Sequence, residues 1–90
     1  MNEEQYDQAS NIMKALSNKK RLQILNVISQ GEPCVTSIEK KLGISQPNIS
    51  QNLSVLRYLG IVEAKRKGKK ICYHIVNQKV LKILKLILPN

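Results

Sequence analysis

The chain has no tryptophan and no phenylalanine, one histidine, and six acidic residues against fifteen lysines and arginines. Each scarcity excludes something. Without Trp or Phe, a packed interior has to be built from Ile, Leu and Val, which the 42% hydrophobic content supplies. The lone histidine, with no glycine-rich phosphate loop and no nucleophile beside a base, leaves no catalytic constellation, so the chain is not read as an enzyme. A tetrahedral zinc centre takes four ligands, and the chain offers Cys34, Cys72 and His74; no metal or other cofactor is expected. No apolar run approaches the ~18 residues of a membrane span. The acidic, polar start is neither a signal peptide nor a lipidation site, and two cysteines without a secretory signal fit a reducing cytoplasm rather than a disulfide framework.

What is abundant is positive charge. A formal charge of +9 favours a polyanionic partner, nucleic acid before anionic membrane. Ninety residues read as one domain, 1–90. A chain this short buries only roughly 60–65% of its unfolded surface, so burial against a second copy would add to its stability.

In chain order, Glu3, Glu4 and Asp7 open a first helix, where negative side chains complement the helix dipole. Tyr6, Ala9, Ile12, Met13 and Leu16 form its apolar stripe. Ser17 is the expected N-cap of a second helix over Lys19–Ser29, which is apolar on more than one face and so belongs at the centre. Gly31 and Pro33 end it. Residues 34–36 read as a short extended stretch. Residues 36–59 then form two helices around a tight corner at Gly43, a residue that tolerates the positive φ ending a helix. Ser45 is placed to cap the second of these, and Pro47 falls in its first turn, where no intrahelical donor is lost. Ile49, Leu53, Leu56 and Leu59 recur at helical spacing.

After Gly60 the chain changes period. Residues 61–65 and 70–76 read as two strands joined at Gly68, with Ile71, Tyr73 and Ile75 alternating with Cys72 and His74. Val80, Leu81, Ile83, Leu84, Ile87 and Leu88 mark a last helix before Pro89. It is apolar around most of its circumference, which reads as a dimerisation signal. The fold class is therefore mainly α with a small β-hairpin: a winged helix-turn-helix of four helices, two strands and a fifth helix, with a short extra strand before the third helix.

Two helices around a glycine corner are the pattern whose second helix enters the DNA major groove. On helix 46–59, Gln46, Pro47, Ser50, Gln51 and Ser54 lie opposite the apolar side, with Arg57 and Tyr58 following. Gln46 and Gln51 are candidates for base contacts, because a glutamine amide pairs bidentately with adenine. Ser45 and Ser50 are candidates for phosphate contacts that set register; Asn48 completes the set. The hairpin tip carries Lys65, Arg66, Lys67, Lys69 and Lys70, a run suited to the backbone beside the groove, with Arg66 or Lys67 in reach of the minor groove. Lys19, Lys20 and Arg21 serve equally as phosphate contacts or as solubilising charge. The bland alternative to all of this is a solvated polar face, and a second is a winged-helix module that binds protein rather than DNA.

Cys34 and Cys72 are a candidate redox pair. An extended 34–36 stretch pairing with the second hairpin strand brings the sulfurs together, given Cα atoms within about 7 Å. The alternative is two semi-buried thiols packing as small hydrophobes. His74 is expected at the surface.

The sequence resembles the ArsR/SmtB winged-helix repressors. The resemblance lies in Ala15-Leu16-Ser17, Lys20 to Leu25, Leu42 to Leu53, Leu56-Arg57-Tyr58-Leu59-Gly60-Ile61-Val62, and the wing Arg66 to Tyr73. It implies a homodimer held by the first and last helices, assigning Tyr6, Ala9, Ile12 and Met13 with Val80, Ile83, Leu84 and Ile87 to the interface. It also implies binding to a two-fold operator in double-stranded DNA and repression of transcription. Metal-sensing relatives carry a Glu-Leu-Cys-Val-Cys-Asp-Leu stretch. Here Cys34 matches but Thr36 replaces the second thiol. Asn77-Gln78-Lys79 stands where others carry an Asp-x-His pair. The resemblance therefore implies no metal site, and the effector stays unassigned.

Overall fold

The computed structural model describes residues 1–89; Asn90, the last residue of the expected domain, lies outside the described residues. The elements run α1 (Glu3–Leu16), α2 (Lys19–Ser29), α3 (Val35–Leu42), α4 (Gln46–Tyr58), β1 (Val62–Lys67), β2 (Lys70–Ile75) and α5 (Gln78–Ile87). The winged helix-turn-helix order is thus the observed one.

Local chemistry explains the boundaries. Asn2 and Gln5 close a reciprocal capping box at the start of α1, satisfying two backbone donors that the helix leaves free. Ser17 is not the cap of α2. Its amide still bonds the Met13 carbonyl at 3.0 Å, so it belongs to the end of α1. Asn18 caps instead, its Oδ1 accepting from the Arg21 amide at 3.1 Å. Gly43 has φ 66° and donates to the Glu39 carbonyl at 2.8 Å, the left-handed stop that turns the chain from α3 into α4. Ser45 occupies the N-cap of α4 but makes no side-chain capping bond, and Pro47 sits in the first turn.

The core follows the expected composition. Ile24, Leu25, Ile38, Ile49, Leu56, Ile61 and Val80 are all fully buried, joined by Ala15, Leu53, Val62 and Leu84. They come from every helix and from β1 and its approach, and α2 lies at their centre, packing against α1, α3, α4 and β2. The apolar excess on α2 is therefore used inside the protomer. No aromatic residue is among those buried; Tyr73 packs against the core only in part.

The hairpin pairs β1 and β2 antiparallel from Val62↔Ile75 to Lys67↔Lys70. Gly68, at φ 63°, takes the first position of the two-residue turn, a place that demands positive φ and therefore glycine. The Ile61 amide bonds the Leu56 carbonyl at 2.9 Å, so β1 leaves directly from the end of α4.

Three expectations are corrected here. The stretch 34–36 is not a strand: α3 begins at Val35, and only Cys34 is extended, in an isolated bridge to Cys72. The need to place Ile38 and Leu42 on the core overrides the β preference of Val35 and Thr36. The alternation of β2 is imperfect, since Ile71 is half-exposed while Cys72 is buried. His74 is half-buried, with its Nδ1 enclosed and without a partner among the described residues.

Candidate nucleic-acid interface

The face of α4 opposite Ile49, Leu53 and Leu56 carries Gln46, Pro47, Ser50, Gln51, Ser54 and Tyr58, all exposed, with Ser45 just before it and Arg57 at its end. Helical periodicity puts them there, because the three buried residues hold the opposite side in the core. Among the described residues, Gln46, Ser50 and Gln51 make no side-chain hydrogen bonds of their own, while the Ser54 hydroxyl donates to the Ser50 carbonyl at 3.0 Å. Ser54 therefore keeps only acceptor capacity toward a ligand.

Asn48 lies on the flank of this face and is half-buried. Its Oδ1 accepts from Asn52 Nδ2 at 2.8 Å, and the same Nδ2 donates to the Asn48 carbonyl at 2.9 Å. The amide group of Asn48 is thereby turned so that its remaining hydrogens are free to donate. Asn52 Oδ1 in turn faces Arg21 Nη1 at 3.5 Å. Arg21 is not a free cation: its Nε donates to the Ala15 carbonyl at 2.8 Å and its Nη2 to the Lys14 carbonyl at 3.3 Å. It closes the end of α1, as cations near helix C-termini do, whereas Lys19 and Lys20 stay exposed. Arg21 was expected as a phosphate contact or a solubilising charge, not as a bracket between helices, and Asn52 was not among the expected site residues. The i, i+4 spacing of Asn48 and Asn52 was the available signal for one half of this chain of bonds.

On the wing, Lys65, Arg66, Lys67, Lys69 and Lys70 are all exposed. Arg66 Nε donates to the Gly68 carbonyl at 3.3 Å, which folds its side chain over the turn. Lys67 Nζ lies 2.5 Å from Glu32 Oε2. The ammonium holds the Glu32 carboxyl below its usual range, and the carboxylate raises the Lys67 ammonium. Among the described residues, the tip thus presents four cations without a salt bridge and one that is engaged.

The cysteines are brought together, by the single bridge between them rather than by a strand. Both are free thiols. Ser37 and then Thr36 direct hydroxyls at Cys34 Sγ, at 3.3 and 3.0 Å, and these lower its pKa to about 6. The Ser37 amide adds to the shift without closing a capping bond. Among the described residues no group of three or more His, Cys, Asp or Glu side chains is placed to hold a metal ion.

The residues assigned to a dimer interface divide. Tyr6 and Met13 are about half exposed, at 55% and 54%, Ala9 is exposed and Ile12 half-buried. On α5, Ile87 is exposed and Ile83 half-buried, but Val80 and Leu84 lie at 0% and 4% inside the protomer's own core. Those two are almost wholly taken up by the protomer's own core. Leu86, absent from the expected set, is 84% exposed. Together Met13, Leu16, Ile83, Leu86 and Ile87 line an apolar groove between α1 and α5. No described helix is long and apolar enough to cross a membrane.

This geometry has relatives. Residues 18–64 match the bacterial regulatory protein, arsR family. The chain is 39% identical over 85 residues to an HTH-type transcriptional regulator of Methanocaldococcus jannaschii, covering 93% of this chain and 96% of that one. It is 37% identical over 82 residues to the biofilm growth-associated repressor of Xylella fastidiosa, covering 91% and 72%. Among solved structures, the homodimeric winged helix-turn-helix DNA-binding domain from Mycobacterium bovis superposes with a TM-score of 0.83 at 38% identity, over 91% of this chain and 76% of that one. With the family match spanning the α2-to-β1 reading head and the fold shared to both ends, the chain belongs to the ArsR family of bacterial regulatory proteins.

Proposed function

We propose that this protein is a dimeric, sequence-specific DNA-binding repressor that acts in the cytoplasm by occluding its operator. The observation that carries the reading is the row of uncommitted short polar side chains on α4, Gln46, Ser50 and Gln51, followed directly by a hairpin tip of exposed cations. Amides and hydroxyls both donate and accept, which is what base edges in the major groove require. In this reading Gln46 and Gln51 contact bases and Asn48 donates from its oriented amide. Ser45, Ser50 and Arg57 hold phosphates. Lys65, Arg66, Lys69 and Lys70 follow the backbone beside the groove, and neutralising phosphates there releases counterions.

A second copy supplies the two-fold symmetry of the operator. The M. bovis relative is a homodimer, and here the exposed Tyr6, Met13, Leu86 and Ile87 on α1 and α5 are the apolar surface that such a partner would cover. Gel-shift titration with genomic fragments at several salt concentrations tests the assignment. Duplex binding should weaken with salt at about −0.9 log units per phosphate neutralised. Salt-insensitive or undetectable duplex binding would overturn it.

A further inference from the structure

Cys34 and Cys72 face each other in an isolated antiparallel bridge. The adjacent hydrogen bond runs from the Tyr73 amide to the Pro33 carbonyl at 3.0 Å, one residue outward on each segment. The cysteines therefore occupy a rung that carries no hydrogen bond of its own, the kind whose Cα atoms lie about 4.5 Å apart with side chains leaning together. Disulfides span Cα separations of about 4.4–6.8 Å, so a rung of this kind is one that a disulfide can bridge.

The two thiols differ in access. Cys72 is buried, whereas Cys34 is half-buried at the N-cap of α3. Cys34 opens on a shallow cleft of about 270 Å³ lined by Val35, Thr36, Lys69, Lys70 and Ile71. The hydroxyls of Ser37 and Thr36 stabilise its sulfur as the thiolate, the reactive form in exchange chemistry. Two lysines at the mouth of the cleft favour an approaching molecule that carries carboxylates.

We propose that Cys34 and Cys72 form a thiol–disulfide exchange site for small anionic disulfides, in which Cys34 attacks, Cys72 resolves, and the new bond ties the helix-turn-helix to the wing. The Cys34 thiolate attacks one sulfur of the incoming disulfide. A mixed disulfide forms on Cys34, the old S–S bond breaks, and one thiolate departs. Cys72 gives up its proton, attacks Cys34 Sγ and expels the second thiolate. Both thiolates take up protons from solvent. The pair of cysteines loses two electrons, and the small disulfide becomes two thiols. The bond would join the start of α3, in the helix-turn-helix, to β2 of the wing. In that consequence the inference rests on the DNA-binding assignment, while the chemistry stands without it.

The test exposes the reduced, full-length protein to glutathione disulfide at neutral pH and follows it by intact mass and peptide mapping. The expected result is loss of both free thiols within one chain, with the Cys34 and Cys72 peptides joined. Cys72→Ser should stop at one glutathione on Cys34, and Cys34→Ser should stay unmodified. Replacing Lys69 and Lys70 by Ala should slow the reaction with glutathione disulfide but not with the uncharged hydroxyethyl disulfide. Two free thiols persisting in the wild-type protein would overturn the proposal, and so would a Cys34→Ser variant that reacts at the wild-type rate. Circular dichroism of each variant guards against unfolding. Gel shifts with the reduced protein keep the two readings apart: failure to bind DNA leaves the exchange result intact, and inert thiols leave DNA binding intact.

Discussion

Glu32, in the turn after α2, reaches across to Lys67 at the end of β1, with 2.5 Å between Oε2 and Nζ. Lys67 is also directly opposite Lys70 in the hairpin, and like charges facing each other across a ladder repel. Glu32 offsets that repulsion and at the same time occupies a cation that would otherwise face a phosphate. Both side chains are about half exposed, and exposed pairs contribute little to folding.

Glu32→Gln should therefore leave the melting temperature nearly unchanged and release Lys67. If DNA then recruits that ammonium, the plot of log affinity against log salt steepens by about 0.9. Parallel gel-shift titrations of the two proteins measure this, and an unchanged slope means that Lys67 lies beyond reach of the backbone.

Gln51→Ala and Lys65→Ala should fail in different ways. Loss of a base contact costs about 1–3 kcal/mol and relaxes preference at one operator position. Loss of a phosphate contact weakens binding to all sequences alike and flattens the salt slope by about 1. Binding to a library of operator variants separates the two patterns.

The Cys34 thiol, held at about 6 by the Ser37 and Thr36 hydroxyls, should be alkylated by iodoacetamide with a midpoint near that pH. Ser37→Ala should move the midpoint toward the ordinary thiol value of about 8.5. The folded value lies below the unfolded one. The thiolate's contribution to stability is thus full above about 8.5, declines as pH falls, and is gone below about 6. Melting curves across that window should show a loss in the wild type that Ser37→Ala reduces.

Leu84 and Leu86 are two positions apart and should behave oppositely. Leu84 is 4% exposed and Leu86 is 84% exposed. Leu84→Ala should destabilise the fold by about 2–5 kcal/mol. Leu86→Glu should leave the circular dichroism spectrum intact and shift sedimentation toward monomer. A Leu86→Glu variant that stays fully dimeric would remove this part of α5 from the interface.

Most of the architecture was legible because each helix carries its own period and punctuation. The bounds of α2 and the corner at Gly43 can be read from spacing and a single glycine. Less legible were choices between neighbours of equal propensity. Ser17 and Asn18 are both good caps, and only the Ser17 amide reaching back to Met13 decides between them. The start of α3 was obscured by Val35 and Thr36, whose β-branched side chains look extended until Ile38 has to reach the core. On α5 the apolar positions run almost all round, so pattern alone does not separate Val80 and Leu84 from Leu86 and Ile87. The polar face of α4 follows from local periodicity. The Glu32–Lys67 and Arg21–Asn52 contacts join residues far apart in sequence, and local pattern carries no record of such pairings.

Arg21 has a last consequence. Its guanidinium holds the final carbonyls of α1 on one side and faces Asn52 of α4 on the other. One side chain therefore spans the joint between the helix on which a dimer would be assembled and the helix that would lie in the groove. Two such joints, related by the rotation axis of a dimer, would make the protein a caliper. Half-sites on DNA come round every 34–36 Å or so, and Arg21, together with the core that α1 and α4 share through α2, would help to hold the gap between the jaws.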